Sequence, residues 1–167
     1  MRVASLAGMS RSSSSRSARR EIDAAAGDVY RVLVTPSEHH RFDASNMVGR
    51  AVTVGPVSRV GDVFTMEMAY SDSSGTEHYR TDNVVTALDQ GRCVEWAVAP
   101  AGEEPLGWRW RYELKPCGAD RTEVTLTYDW TGTPTPNLLR FGVPLFAEAE
   151  LAASLDLLAD TITNPPR

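Results

Sequence analysis

Two stretches in the last third of the chain alternate apolar and polar residues with a period of two. Over Gly107–Lys115, Trp108, Trp110, Tyr112 and Leu114 alternate with Arg109, Arg111, Glu113 and Lys115. Over Thr122–Trp130, Val124, Leu126, Tyr128 and Trp130 alternate with Glu123, Thr125, Thr127 and Asp129. This period puts each apolar set on one face of a sheet and each polar set toward water. Pro116 and Gly118 break the run between them, which makes the pair a hairpin. Two earlier stretches repeat the pattern: Phe64, Met66, Met68 and Tyr70 within Asp62–Ser71, and Val94, Trp96 and Val98 within Cys93–Ala99. Met47–Val54 and Thr76–Leu88 complete six strands, the latter without a phase that its residues settle. Short Gly, Pro and Asp breaks connect most of them, so the sheet is expected to be an antiparallel meander.

Helical spacing flanks this sheet. A short strand, Arg19–Ala24, leads into Ala25–Val34, where Val29, Val32 and Leu33 share a helical face and Thr35–Pro36 ends the run. Ser37 is placed to cap a second short helix through Asp43. After Pro144, the residues Leu145, Ala149, Ala152, Leu155, Leu158 and Ile162 recur at three- or four-residue spacing, ahead of Pro165–Pro166. This longest helix has one apolar stripe, and the inner sheet face is the surface available to bury it.

The content of that face raises the question of a cavity. The C-terminal hairpin turns three of the four tryptophans and two of the five tyrosines inward. The facing helix is largely alanine in its first half. Rings over small residues either swing in to close the core or leave a hollow that an apolar molecule fills. The residues that would line such a hollow are Phe64, Met66, Met68, Tyr70, Trp96, Trp108, Trp110, Tyr112, Leu126, Tyr128, Ala149, Ala152 and Leu155.

Length and composition narrow the class. At 167 residues, 42% of them hydrophobic, one domain is expected. No apolar run reaches the roughly 20 residues that span a bilayer, so no integral membrane contact is expected. Five of the 17 basic residues, and no acid, lie in the first twenty; the remaining 12 stand against 22 acids. So acidic a body speaks against nucleic acid as a partner. Residues 1–16, Ser- and Arg-rich, read as a disordered tail, with a single domain over 17–163. Val3–Met9 is too short and mixed for the apolar core of a secretory signal. Cys93 and Cys117 form neither a disulfide framework nor a metal spacing, and two free thiols suit a reducing cytoplasm.

Three segments carry a family resemblance. "EIDAAAGDVYRVLVTPSEHHRFDAS" (21–45), "NVVTALDQGRCVEW" (83–96) and "WRYELKPCGADRTEVTLTYDWTG" (110–132) resemble the opening strand, helix and turn, the central strand pair, and the closing hairpin of the START-like, or SRPBCC, superfamily. The likeness is to bacterial members labelled polyketide cyclase or dehydrase, with Phe42 where the turn usually carries tryptophan. It implies an α+β helix-grip fold of the Bet v 1 type: a seven-stranded curved antiparallel sheet around a long C-terminal helix, with two short helices after the first strand. It also implies a hydrophobic cavity between sheet and helix, holding lipids, sterols or polyketides.

The candidate chemistry is sparse. Tyr112 and Tyr128 are the phenols placed to donate to a carbonyl oxygen in a cyclisation. His39, His40 and Asp43 form the sole His–acid cluster, but one short turn does not converge them on a metal ion, and Asp43 is placed to cap the following turn. No nucleotide fingerprint, cofactor motif or metal site is seen. The reading that follows is a carrier or sensor of a hydrophobic small molecule, lipid or polyketide-like, acting as a monomer or homodimer. A polyketide cyclase or dehydratase is the alternative, and a protein-partner-binding module without ligand is the third.

Overall fold

The computed structural model describes residues 13–165. Their elements run β1 (Ser15–Ile22), α1 (Ala26–Leu33), a 3₁₀ helix (Pro36–Phe42), β2 (Val48–Ala51), β3 (Val63–Asp72), β4 (Gly75–Asp89), β5 (Cys93–Pro100), β6 (Arg109–Gly118), β7 (Arg121–Asp129), α2 (Thr135–Phe141) and α3 (Glu148–Thr163). The seven strands form one curled antiparallel sheet in the order β1-β7-β6-β5-β4-β3-β2. Only the outermost step departs from a meander: β1 crosses the molecule to pair with β7, Ser15 opposite Asp129 through Ile22 opposite Thr122.

The strands differ from expectation in two places. β1 starts at Ser15, so Ser15 and Arg16, assigned from sequence to the tail, lie in the sheet. The Trp130 N–H donates to the Ser14 carbonyl at 2.9 Å, which extends that pairing by one bond. The disorder expected at the N-terminus otherwise lies outside the described residues. In β4 the register settles the open phase. Asn83 stands opposite Phe64 and Val98, Thr81 opposite Met66, and Tyr79 opposite Met68, so Tyr79, Thr81, Asn83 and Val85 face inward.

The helices carry the larger corrections. Ser37 caps nothing; the 3₁₀ helix begins at Pro36 after Thr35, with no side-chain cap. α2 has no counterpart among the elements expected from sequence; Pro134 and Pro136 stand at its start, where a sequence reading takes them for breaks. Pro at the start of a helix and a left-handed glycine after it (Gly142, φ 65°) are nevertheless a standard pair of helix boundaries. In α3 the buried stripe is Leu151, Leu155, Leu158 and Ala159, whereas Ala149 and Ala152 face solvent and Leu145 lies ahead of the helix, 40% exposed. Burying a leucine is worth roughly 1.5–3 kcal/mol, far more than an alanine, so the helix turns its leucines to the sheet. The alanine-faced rod that was to leave a hollow is therefore a leucine-faced one.

The core is stacked in layers along the strands. The closed end holds Ile22, Val29, Leu33, Val94, Leu114 and Val124. The middle layer is aromatic: Trp96 stacks on Tyr112 at 5.8 Å and meets Phe64 edge-on at 5.5 Å, and Phe42 closes on Tyr112 at 6.1 Å. Leu126 and Leu155 fill the space beside them. On the outer face, ion pairing runs β6 to β5 rather than β6 to β7: Glu95 takes Arg111 at 3.2 Å and Arg109 at 3.5 Å.

Candidate functional site

His39 and Asp43 are both structural. His39 is buried, stacked on Trp96 at 5.1 Å with Phe64 edge-on at 5.1 Å. Its Nε2–H donates to the Leu33 carbonyl at 2.8 Å, tying the 3₁₀ helix to α1. Burial lowers the imidazole pKa to about 4, so the ring is neutral and part of the core. His40 is exposed. The Asp43 carboxylate accepts from the Ser45 N–H and hydroxyl and from the Val48 N–H, at 2.9, 2.6 and 2.9 Å. It thus caps the turn into β2.

The thirteen expected lining residues divide into three groups. Phe64, Met66, Trp96, Tyr112, Leu126, Tyr128 and Leu155 are buried in the packed layers. Ala149 and Ala152 lie on the solvent side of α3. Met68, Tyr70, Trp108 and Trp110 face inward yet stay partly exposed, Tyr70 at 40%. Of the two candidate phenols, Tyr112 is enclosed, and burial with the nearby Asp43 charge drives its pKa well above the ordinary tyrosine range. The Tyr128 hydroxyl accepts the Leu145 N–H at 3.3 Å, and burial raises its pKa. Neither can serve as a base near neutral pH.

The partly exposed group shares one cause. α3 lies close to β1, β7, α1 and the 3₁₀ helix and makes no comparable approach to β3, β4 or β5. The segment leading into it covers part of the gap: Phe146 packs on Trp110 at 5.3 Å and Tyr128 at 5.5 Å, and Phe141 of α2 meets Trp108 at 5.5 Å. The 3₁₀ helix covers Phe64 and Trp96 through His39; beyond it and these rings, the inward side chains at the far end of β3–β5 are only partly covered. Met68, Tyr79, Val98, Trp108 and Trp110 are the half-buried side chains of this strip, a shallow trough rather than an enclosed cavity, and Thr81 and Asn83 lie buried on the same face; none of the seven lines either of the two best-formed hollows.

Of the two best-formed hollows, one adjoins this region. It is an open cleft of about 390 Å³ between Met47, Ala69–Ser71 and the Leu145, Phe146 and Glu150 side. The other, about 470 Å³, runs along β2 between Val48–Ala51 and Ser37, His40 and Asn46. Both are open rather than enclosed, and Tyr70 alone of the expected lining residues borders either. From sequence, Val98 shares a face with Val94 and Trp96, and Tyr79, Arg80 and Asn83 are polar candidates of open phase; the register turns Tyr79 and Asn83 inward and Arg80 outward, and adds Thr81, which sequence reasoning missed. The signal was weak: a period of two without a large apolar anchor in β4. Among the described residues no cluster of His, Cys, Asp and Glu is arranged to hold a metal ion, and no helix is long and apolar enough to cross a membrane.

A curled antiparallel sheet closed on a C-terminal helix, with two short helices after its first strand, defines a helix-grip protein of the SRPBCC, Bet v 1-like superfamily. Within it, the chain belongs to the Activator of Hsp90 ATPase homolog 1-like protein family, whose model matches residues 23–163. It is 31% identical over 110 residues to an uncharacterized protein of Mycobacterium tuberculosis, Rv0088, covering 66% of this chain and 45% of that protein. The chain thus spans less than half the length of the curated relatives it matches. Among solved structures it is similar to Ms6760 of Mycobacterium smegmatis, with TM-score 0.61, 16% identity and coverage of 90% and 91% of the two chains. It is also similar to the ZhuI aromatase/cyclase of Streptomyces sp. R1128, at TM-score 0.60 and 13% identity over 89% and 93%. The Aha1 dimer of Colwellia psychrerythraea aligns at TM-score 0.54 and 19% identity over 89% and 95%. At these identities the likeness to solved structures is one of fold.

Proposed function

We propose that this domain binds a hydrophobic small molecule, lipid or polyketide-like, in the trough over β3–β5, as a carrier or sensor in the cytoplasm. One observation carries the reading. Large inward-facing side chains, Met68, Tyr79, Val98, Trp108 and Trp110, remain half-buried because α3 sits to one side of the sheet. An apolar molecule laid there removes their surface from water at about 25 cal/mol per Å². Concave, mostly apolar surfaces with a few polar groups are the usual form of small-molecule sites. The binding site proposed is thus narrower than the thirteen residues expected from sequence, and it keeps Met68, Trp108 and Trp110 of them. Native mass spectrometry of freshly purified protein, followed by extraction, tests it: an extractable apolar molecule supports binding, and a protein that takes up none from a lipid extract counts against it.

A cyclase or dehydratase, suggested by the fold shared with an aromatase/cyclase, is the weaker reading, since Tyr112 is enclosed and Tyr128 is engaged by Leu145. A partner-binding role has an observation of its own: Val52, Val54, Val60 and Val63 are 39%, 96%, 58% and 46% exposed on and around the β2–β3 connection. If that patch is the functional surface, Val54→Asp abolishes partner capture while uptake of an apolar molecule is unchanged.

A further inference from the structure

The floor of the trough holds two buried polar side chains where apolar ones would pack as well. We propose that Asn83 and Thr81 are a recognition pair for an uncharged hydroxyl group on the trough's ligand, an alcohol or phenol in preference to an ether or a carboxylate. The inference rests on the trough being the binding surface.

The pair is built by register. Residues 81 and 83 lie two apart on β4 and so share the inward face, opposite Met66 and Phe64 of β3. Both are more than nine-tenths buried, with 7% and 5% of their surface exposed. The Asn83 amide nitrogen donates to the Phe64 carbonyl at 3.2 Å and to Thr81 Oγ1 at 3.3 Å. Those two bonds use both of its hydrogens and leave the carboxamide oxygen without a donor among the described residues. Thr81 Oγ1 accepts from Asn83, and its own hydrogen has no acceptor among them. One acceptor and one donor therefore stand side by side; the Asn83 oxygen keeps contact with the open side of the trough, because among the described residues the fully buried side-chain polar atom without a partner is Thr133 Oγ1.

Their complement is a single group that donates and accepts together, which a hydroxyl does. A ligand hydroxyl can make both bonds at once, donating to the Asn83 oxygen and accepting from the Thr81 hydroxyl. An ether accepts but cannot donate to the Asn83 oxygen. A carboxylate meets that oxygen with like polarity, and no cation answers it from nearby on β4 or β6. Arg80 and Arg109 lie on the opposite face, where they pair with Glu67 and Glu95 at 3.5 Å. Hydrogen-bonding sites of this kind discriminate strongly, because the wrong ligand leaves buried groups unpaired.

The test titrates the full chain with 1-decanol, decyl methyl ether and decanoate, following tryptophan emission. The expected result is 1-decanol bound at least about tenfold more tightly than either of the others. Asn83→Leu is expected to bring 1-decanol to within about threefold of the ether. Thr81→Val, which keeps shape and removes the donor alone, is expected to give a partial loss and serves if Asn83→Leu does not fold. Equal binding of decanol and ether by the parent protein overturns the pair and leaves the trough standing, as does a preference that survives both substitutions. If none of the three probes binds, the trough reading falls, and the pair with it.

Discussion

His39 makes acid stability a test of the packed half of the core. Its ring is enclosed by Trp96, Phe42 and Phe64, each with ring centroids 5.1 Å away, and burial holds the folded-state pKa at about 4 against 6.5 for a free histidine. The bond to the Leu33 carbonyl and the Glu38 charge act in the opposite direction and are outweighed. Because the folded pKa is depressed, the unfolded chain binds the extra proton first as pH falls. Stability from this residue is intact above pH 6.5, declines below it, and is fully lost below about pH 4. At 1.36 kcal/mol per unit, that loss is about 3 kcal/mol. His39→Phe keeps an aromatic ring and removes the titration, at a cost of about 1–3 kcal/mol near neutrality for the unpaired Leu33 carbonyl. Urea unfolding of both proteins, at intervals from about pH 7 down to about pH 4, isolates the term, because the other acid-labile groups cancel in the difference. The parent's advantage near neutrality should shrink by about 3 kcal/mol, closing or reversing by about pH 4. An advantage constant across the range refutes the reasoning, since it means that His39 titrates alike in folded and unfolded chains.

Three further outcomes follow from the same coordinates. Gly107 has φ 122°, and a Cβ there would lie 2.5 Å from Thr133 Cα, so Gly107→Ala should lower stability by more than about 2 kcal/mol; an unchanged thermal midpoint contradicts the close approach of these two segments. Leu155→Ala should cost about 2–5 kcal/mol in denaturant unfolding, whereas Ala152→Leu, on the exposed side of α3, should cost less than about 1 kcal/mol; the reverse order would restore the alanine-faced helix. Tyr112→Phe removes a hydroxyl that makes no hydrogen bond among the described residues and is not one of their fully buried unpaired atoms, so stability should change by less than about 1 kcal/mol in denaturant unfolding, and a larger loss contradicts this reading.

The sheet was legible because alternation is a local property. Trp108 to Leu114 and Val124 to Tyr128 announce their inner face, and Phe64 to Tyr70 repeat it. The family resemblance then supplied the seven-stranded curved sheet around the helix, whereas the β1–β7 pairing, which no local pattern carries, is seen only in the structure. The helix phase was only half legible: Leu155 and Leu158 lie inside as their spacing indicated, but Leu151 competes with Ala149 and Ala152 for the inner side of the first turns, and only the depth available beneath the sheet decides between them. α2 was hidden by its prolines, which stop a strand and start a helix equally well. The site was hardest to read. Inward direction and burial differ, and Trp96 and Trp110 look alike in sequence although one is packed in the aromatic layer and the other borders the trough. That difference arises from where α3 rests across the sheet, a matter of tertiary position.

The four tryptophans report most directly on where a ligand lies. With the indole N–H groups resolved by ¹⁵N–¹H correlation spectroscopy, titration with 1-decanol should move the Trp108 and Trp110 signals together and leave that of Trp96, enclosed beside His39 and Tyr112, in place. Saturable binding that shifts Trp96 and spares Trp108 and Trp110 would put the ligand in the aromatic core and contradict a site over β3–β5.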